Sequence, residues 1–378
     1  MKTRILSISI LVLLTIVIFL LTSQTALAAT CTWTGGSGNW NEPAHWSCGY
    51  VPDEGDDAVI SNGSTVTVTA DDDVGSLILS SGLVSMNAGT TLSASTYTMS
   101  GGTLTGAGTL TAGTINWSDG TMAGSGVTTA TSEVNFTGSS QIYLYDRTFN
   151  NAGAATWDRT ASMYFNPAGT TFNNQASATF TVVNTGGTVV YGQGTFNNAG
   201  TLTKSSVGST NISLIFNHSG TVNVESGTLD ITNNVASSST GIYHIPAGAR
   251  LKLTGTHNLS GSLPFTGNGT IEIAGHVNVS GAGAYVYSGT TLIPNGTLSL
   301  STELTTASTE ILDLTGGTVT GSGDLSAHTI NWSDGTMSGS GVTTATSEVN
   351  FTGSSQIYLY DRTFNNAGAA TWDRTASM

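Results

Sequence analysis

Two acidic clusters hold the most closely spaced carboxylates of this 378-residue chain. Asp53, Glu54, Asp56 and Asp57 form the first cluster, and residues 71–73 are three consecutive aspartates. Calcium requires oxygen ligands at such density, but neither cluster has the nonapeptide Gly-Gly-x-Gly-x-Asp repeat or EF-hand spacing. We therefore predict solvated turns in front of strands, with no cofactor and with calcium as the alternative.

A polysaccharide-active enzyme would need more than acids. Hydrolases use paired carboxylates that face one cleft, and lyases add a basic residue that removes a proton. Seven basic residues remain once Lys2 and Arg4 are set aside with a predicted export signal, and four of them follow an aspartate in a duplicated segment. Because a catalytic set is not expected twice, we interpret each pair as a weak surface ion pair on a turn. The pairs are Asp146–Arg147, Asp158–Arg159, Asp361–Arg362 and Asp373–Arg374.

The histidines add no metal site. All six are scattered along the chain without the spacing of metal ligands, at positions 45, 218, 244, 257, 276 and 328. The sequence therefore predicts no catalytic residue, no cofactor-binding residue and no metal ligand.

Three tryptophans, Trp33, Trp40 and Trp46, lie between the two cysteines, Cys31 and Cys48. A disulfide is the default for two nearby cysteines in an exported chain, and its short loop would staple only a local cap. The indoles form either a sugar-stacking platform or an apolar plug that closes the first coil of a stacked fold. We favour the plug because such a fold must cap its end.

A second set of aromatic residues belongs to a near-identical duplication. Residues 114–163 recur as 329–378, and the two copies differ only where Ser338 replaces Ala123. A stacked fold can use such a copy because each unit only has to fit its neighbour. We predict aromatic residues that face a ligand in both copies, with core filling as the alternative for alternate residues. They are Tyr143, Tyr145 and Trp157, with their copies Tyr358, Tyr360 and Trp372.

Short β-type runs bounded by Gly, Asn or Ser must position these residues. The motif Phe-Asn-Asn, or Phe-Asn-His in the last case, returns at Phe149, Phe172, Phe196 and Phe216. A repeat of roughly 20–24 residues without a helix predicts an all-β fold, the right-handed parallel β-helix. Its phenylalanines would stack inside the coil, and its asparagines would form ladders at the bend.

An array of antiparallel β-sandwich domains is the alternative fold. It does not predict a motif that returns every ~22 residues, the spacing expected for one coil of a repeat fold. The β-helix predicts about ten coils between the two copies and about fifteen in all, a rod of about 70 Å. Both copies should adopt the same coil conformation, with Ala123 and Ser338 at an exposed or turn position.

The two ends of the chain predict processing and truncation. Lys2 and Arg4 precede an apolar stretch over residues 5–21, and Ala26-Leu27-Ala28 offers a cleavage site. These features predict a signal peptide over 1–28 rather than an uncleaved anchor, followed by a cap over 29–57 and a repeat region over 58–378. The second copy stops at Met378, where the first continues into another strand, so we expect a chain truncated at its C-terminus.

The composition limits the partners. Without Lys2 and Arg4, seven basic residues face 23 acidic ones, and the formal charge changes from -14 to -16. Nucleic acid is excluded, because phosphate binding needs clustered Lys and Arg, and an anionic membrane surface is disfavoured. No membrane insertion is predicted after signal cleavage.

Residues 32–60 carry a pattern of spaced tryptophans, glycines and prolines before the first strand. Its positions are Trp33, Gly38-Asn39-Trp40, Pro43, Trp46-Ser47, Val51-Pro52 and Asp56-Asp57. This opening resembles that of secreted bacterial β-helix proteins. The later Gly-Thr-Leu and Phe-Asn-Asn-Ala-Gly coils are similar to those of autotransporter passengers and haemagglutinin-type adhesins of the pectin-lyase-like superfold. The resemblance implies a secreted or cell-surface location and an adhesive or structural role, and it transfers no catalytic residue.

These observations predict a non-catalytic, secreted or cell-surface β-helical stalk with a repetitive surface rich in hydroxyl and aromatic groups. Glycans or neighbouring cell-surface molecules are the expected partners. The alternative is a polysaccharide-active β-helix enzyme, a lyase or a hydrolase, or a carbohydrate-binding module.

Overall fold

Parallel strands stack into a long solenoid in the computed structural model, which describes residues 28–184, 187–260, 263–281, 284–304 and 306–378. The fold is an all-β parallel β-solenoid of about 14 turns, close to the predicted number. One short 3-10 helix, Pro43–His45, is the only helical element in this part of the chain. Residues 1–27 of the predicted signal peptide lie outside the described residues.

The described residues form 33 strands. The first twelve are β1 (Thr30–Thr32), β2 (Gly38–Asn39), β3 (Asp57–Ile60), β4 (Thr65–Val68), β5 (Asp72–Leu79), β6 (Leu83–Met86), β7 (Thr91–Gly106), β8 (Thr109–Ala123), β9 (Val127–Phe136), β10 (Ile142–Tyr145), β11 (Thr148–Asn151) and β12 (Ala154–Trp157). The next twelve are β13 (Met163–Asn166), β14 (Thr171–Asn174), β15 (Thr179–Val182), β16 (Gly187–Asn198), β17 (Thr201–Lys204), β18 (Ser209–His218), β19 (Thr221–Val224), β20 (Thr228–Ser239), β21 (Ile242–His244), β22 (Arg250–Ser260), β23 (Leu263–Thr266) and β24 (Thr270–Ile273). The last nine are β25 (His276–Ser280), β26 (Ala284–Ile293), β27 (Thr297–Leu300), β28 (Thr306–Gly321), β29 (Leu325–Ser338), β30 (Val342–Gly353), β31 (Ile357–Tyr360), β32 (Thr363–Asn366) and β33 (Ala369–Arg374).

Each full coil contributes one strand segment to each of three faces. We define face A by β12, face B by β10 and face C by β11, together with the strands stacked on each of them. The three strands pair in parallel with β15, β13 and β14 of the next coil. This pairing excludes the antiparallel sandwich. The longer strands pass around a corner and therefore contribute to two or three faces.

The core follows from the alternation of apolar and polar residues along each strand, because successive side chains point to opposite sides of a sheet. The phenylalanines of the repeated motif stack in register inside the coil, as predicted. The ring centroids of Phe149 and Phe172 lie 5.1 Å apart, those of Phe172 and Phe196 4.9 Å, and those of Phe196 and Phe216 5.7 Å. Each fully buried ring contributes about 1.5–3 kcal/mol.

The second asparagine of each motif points inward and forms a buried ladder. The Asn151 amide nitrogen donates to the Asn174 carbonyl oxygen at 2.8 Å, and Asn174 donates to Asn198 at 2.7 Å. The Asn198 amide nitrogen then meets His218 Nδ1 at 3.1 Å. The first asparagine of each motif points outward and forms a second ladder, in which each residue donates to the preceding coil. Amide donors thus point in opposite directions in the two ladders.

The predicted N-terminal cap begins the stack. Strand β1 pairs with β3 and β2 pairs with β4, and Cys31 and Cys48 form the predicted disulfide. Trp33, Trp40 and Trp46 are buried, with ring centroids 4.9–5.0 Å apart in edge-to-face contacts. The indoles are therefore the plug and not a ligand-facing platform, because solvent reaches almost none of their surface.

The two copies of the duplicated segment adopt the same coil but lie on different faces. Strand β10 of the first copy lies on face B, whereas its counterpart β31 joins face C through β29. In the same way β12 lies on face A, whereas its counterpart β33 stacks on β30 of face B. The offset between the copies therefore spans about ten coils, as predicted, and one further face. Ala123 and Ser338 are half-buried on the outward side at the ends of their strands, where an added hydroxyl does not enter the core.

Candidate functional site

Four tyrosines form a cluster on the outer side of face B, which we call the tyrosine cluster: Tyr143, Tyr145, Tyr164 and Tyr191. Tyr143, Tyr164 and Tyr191 are paired partners in three successive coils. The ring centroids of Tyr164 and Tyr191 lie 5.0 Å apart, and Tyr164 lies 6.4 Å from Tyr143 and 6.1 Å from Tyr145. A continuous aromatic strip therefore crosses three coils.

Strand alternation positions these rings. Ile142 and Leu144 point from β10 into the core, so the alternating residues Tyr143 and Tyr145 must point outward. The same alternation in β13 buries Phe165 and turns Tyr164 outward. Each tyrosine side chain of the cluster is half-buried. The strip is thus partly accessible to solvent, and its rings contact one another along the strip.

A hydrogen bond holds Tyr191, the ring of the strip that lies in the third coil. Gln141 Nε2 donates to the hydroxyl of Tyr191 at 2.7 Å, across two coils. Desolvation by its surroundings, together with the neighbouring Tyr143 and Tyr164, raises the pKa of Tyr145 above its usual range. The Tyr145 phenol therefore remains neutral at physiological pH and can both donate and accept hydrogen bonds.

The sequence predicts outward aromatic rings at Tyr143 and Tyr145, but the prediction does not include Tyr164 and Tyr191. The missing information is the coil pairing, since these two residues lie in strands with different sequences. The step from Tyr143 to Tyr164 is nevertheless close to the period of the Phe-Asn-Asn motif, and that spacing is a usable signal.

The predicted ligand-facing residues of the second copy lie elsewhere on the solenoid. Tyr358 and Tyr360 are outward on face C, 37% and 55% exposed, with ring centroids 5.7 Å apart. They are separate from the tyrosine cluster.

The prediction for Trp157 is wrong. Its indole points inward from β12 and has no exposed surface, because it alternates with Thr156 and shares the inward side with Ala155. Its copy Trp372 is 53% exposed, and no strand stacks on β33 among the described residues.

The prediction of surface ion pairs at the Asp-Arg turns is also wrong. Arg147 is fully buried at the corner between β10 and β11, where Asp146 adopts a φ of 53°. All five of its N–H donors bind oxygens of neighbouring coils: the hydroxyl of Thr128 and the carbonyls of Gly106, Gly108, Ala123 and Val127. Burial lowers the Arg147 pKa to about 10, so the guanidinium stays charged at neutral pH.

Arg362 and Arg159 are corner residues of the same kind. Arg362 donates to Thr343 and to four carbonyls that correspond one for one to those around Arg147. Arg159 is also buried and donates to the carbonyls of Trp117, Ser118 and Ser140. These cations hold coils together and do not face solvent.

The acidic clusters come together at the start of the solenoid. Asp53 and Glu54 line one open depression together with residues 71–73, although the two clusters are separate in the sequence. Desolvation raises the pKa of Asp72 above its usual range. Among the described residues no group of three or more acidic, histidine or cysteine side chains has the arrangement of a metal site. Calcium therefore stays an untested alternative.

The outward surface is more acidic than the formal charge indicates. Four of the seven basic residues after position 28 are buried, and Arg374 donates to backbone carbonyls. The remaining two are ion-paired on face B: Arg250 with Glu272 at 2.5 Å, and Lys252 with Asp230 at 3.4 Å. An anionic ligand would find no free lysine or arginine among the described residues.

The fold and surface define a parallel β-solenoid with an outward tyrosine cluster on an acidic, hydroxyl-rich rod. Within the described residues, no helix is long and apolar enough to span a membrane. Comparison with protein-family models, curated proteins and solved structures finds no match.

Proposed function

We propose that this chain is a secreted or cell-surface stalk that binds uncharged glycans through the tyrosine cluster and catalyses no reaction. The observation that carries the proposal is the register of Tyr143, Tyr164 and Tyr191 on face B. Their rings provide flat apolar surfaces on which the C–H faces of sugar rings can stack, and their hydroxyls provide hydrogen bonds.

The fold fits a structural stalk. About 14 stacked turns correspond to a rod of about 70 Å at the usual spacing of paired strands. Each coil contacts only its neighbours, so length can be added without a change in the rest of the structure. The Cys31–Cys48 disulfide supports an oxidising compartment, and recovery of chain beginning near residue 29 from the culture medium or cell surface would test the location.

The charge distribution supports an uncharged ligand. Arg250 and Lys252 are the outward lysine and arginine residues away from β33, and each already has a carboxylate partner. An anionic polysaccharide would have to break these pairs and approach an acidic rod, which electrostatic repulsion opposes.

The test is binding of residues 29–378 to soluble polysaccharides by isothermal calorimetry. Xyloglucan, laminarin and galactomannan serve as neutral probes, and alginate and polygalacturonate serve as anionic probes. We expect binding to at least one neutral probe. To isolate the tyrosine cluster, the affinity is compared in a protein that carries Tyr358→Ala/Tyr360→Ala, which removes the outward tyrosine pair on face C. In that protein the triple change Tyr143→Ala/Tyr145→Ala/Tyr164→Ala should weaken binding at least ten-fold. Thr201→Ala/Thr203→Ala, which removes two outward side chains from face A, is the matched control and should bind as the parent does.

Three outcomes would overturn the proposal. They are the absence of binding to every neutral probe, preference for the anionic probes, and equal affinity with and without the triple change in the protein that lacks Tyr358 and Tyr360. Release of reducing ends or unsaturated products from any of the five polysaccharides would contradict the non-catalytic assignment and support the enzyme alternative.

A further inference from the structure

The duplicated tyrosine pairs lie on different faces of the rod. Tyr143 and Tyr145 are outward on β10, which belongs to face B. Their copies Tyr358 and Tyr360 are outward on β31, which belongs to face C. A repeat of a whole number of coils would have placed both pairs on one face.

The change of face is not a local distortion of one copy. The corner arginines Arg147 and Arg362 contact five corresponding positions, three inside the duplicated segment and two just before it begins. The outward partner of Tyr145 in the preceding coil is Ala123, and that of Tyr360 is Ser338. Each copy therefore builds the same corner and the same strand, and the second copy is turned by one face about the axis.

The separation along the axis follows from the stacking. Ten coils and one face separate the pairs, which corresponds to about 50 Å at the usual strand spacing. Faces B and C meet at the corner occupied by Arg147 in the first copy and therefore point in different directions. One stiff chain that lies on face B cannot also lie on face C.

We propose that the two tyrosine pairs are independent sites that hold two different glycan chains, so that one rod cross-links an uncharged polysaccharide. This inference rests on the proposed function. Two sites on one face would engage one chain together and raise its affinity, because the second contact would be intramolecular. Two sites on different faces remove that advantage, and the second site then recruits another chain.

The experiment measures binding and cross-linking separately, with xyloglucan as the probe. Calorimetry gives the number of sites, and viscometry with light scattering reports network formation, with protein alone and polysaccharide alone as blanks. The first-site variant is Tyr143→Ala/Tyr145→Ala/Tyr164→Ala, and the second-site variant is Tyr358→Ala/Tyr360→Ala. Thr201→Ala/Thr203→Ala is again the control, and circular dichroism checks the fold of each protein.

We expect two sites and a rise in viscosity for the parent and the control. Each single-site variant should bind at its remaining site with an affinity within about three-fold of that of the same site in the parent, and should give no network. Binding without a network in the parent would overturn the inference and leave the proposed function standing. A network formed by either single-site variant, or a drop of ten-fold or more in the affinity of its remaining site relative to the same site in the parent, would also overturn it. Absence of any binding would overturn both.

Discussion

His218 takes the place of an asparagine at the end of the inner ladder and makes the solenoid sensitive to acid. Its Nδ1 lies 3.1 Å from the Asn198 amide nitrogen, and its Nε2 lies 3.1 Å from the carbonyl oxygen of Ile242. The amide nitrogen is a donor and the carbonyl is an acceptor, so Nδ1 must accept and Nε2–H must donate. Only the neutral imidazole satisfies both contacts.

The pH window follows from the pKa of His218. Burial lowers this pKa from 6.5 to about 4, against the weaker opposing effect of its backbone hydrogen bonds. Above pH 6.5 the folded and unfolded chains are both neutral at this residue, so its contribution to stability does not change. Below 6.5 the unfolded chain binds a proton that the folded chain does not, and stability falls until about pH 4. At 1.36 kcal/mol per unit, the loss is about 3 kcal/mol.

The substitution His218→Asn isolates this effect. An asparagine can accept from Asn198 and donate to the Ile242 carbonyl, as Asn198 itself donates to the carbonyl of Thr221 at 3.1 Å. The ring contacts with Phe216 and Tyr243 are lost, so at pH 8 we expect a change of about 1 kcal/mol or less. Between pH 8 and pH 4 the free energy of unfolding of the variant should rise by about 3 kcal/mol relative to that of its parent.

Guanidinium unfolding at several pH values, followed by circular dichroism, measures this difference. Buried His257, whose pKa burial also lowers, is present in both proteins, so its contribution cancels in the comparison. Because a stacked fold can unfold in parts, hydrogen exchange of residues 196–245 provides the local measurement. Parallel pH profiles of variant and parent, or an imidazole of His218 that titrates near 6.5 in the folded protein, would refute the reasoning.

Three further predictions concern the corner, the core and the cap. Arg147→Met should destabilise the solenoid by at least about 3 kcal/mol, because it leaves buried carbonyls without donors. Arg147→Lys should recover only part of the lost stability, measured as the midpoint of unfolding in guanidinium chloride. Full recovery of that midpoint would contradict the role of the five-donor arginine. Phe172→Ala should cost about 3–5 kcal/mol, whereas the outward change Thr171→Ala should cost less than about 1 kcal/mol, and equal midpoints would argue against the stack. Cys31→Ser/Cys48→Ser opens a loop whose ends have a sequence separation of 17 and should cost about 3 kcal/mol. Hydrogen exchange should then rise in residues 29–68 and not in later coils, and uniform loss of protection would contradict a local cap.

The fold could be predicted from the sequence because the packing requirement that defines it recurs in successive coils as the same short motif. Phe149, Phe172 and Phe196 recur at nearly one spacing, and each must pack on its neighbour. The ladders follow from the same motif, since amides that recur in register can pair along the axis. The tyrosine cluster was predictable in part, because the alternation within β10 fixes Tyr143 and Tyr145 but says nothing about the next coil.

The direction of side chains at the corners could not be predicted in the same way. Arg147 follows Asp146, whose φ of 53° directs the chain around the corner and sends the guanidinium inward. Alternation applies only within a strand, so it predicts no direction for a residue between two strands. From the sequence, an arginine next to an aspartate is expected to form a surface pair. In the structure the partners of Arg147 are instead the carbonyls of four positions in neighbouring coils.

The change of face between the copies also could not be predicted from the sequence, because the number of residues per coil varies. One coil runs from Tyr97 to its stacked partner Ile115, whereas the coil from Ala155 to its partner Phe180 is clearly longer. The offset between the copies thus fits ten coils with or without a further face. The structure tolerates the turn because strands on all three faces alternate inward and outward residues, and because the corner of each copy finds the same carbonyl partners at Arg147 and Arg362. Stacking therefore constrains which segments are adjacent and leaves open the face on which they lie, and a duplication can move a tyrosine pair to a new direction without rebuilding the coil.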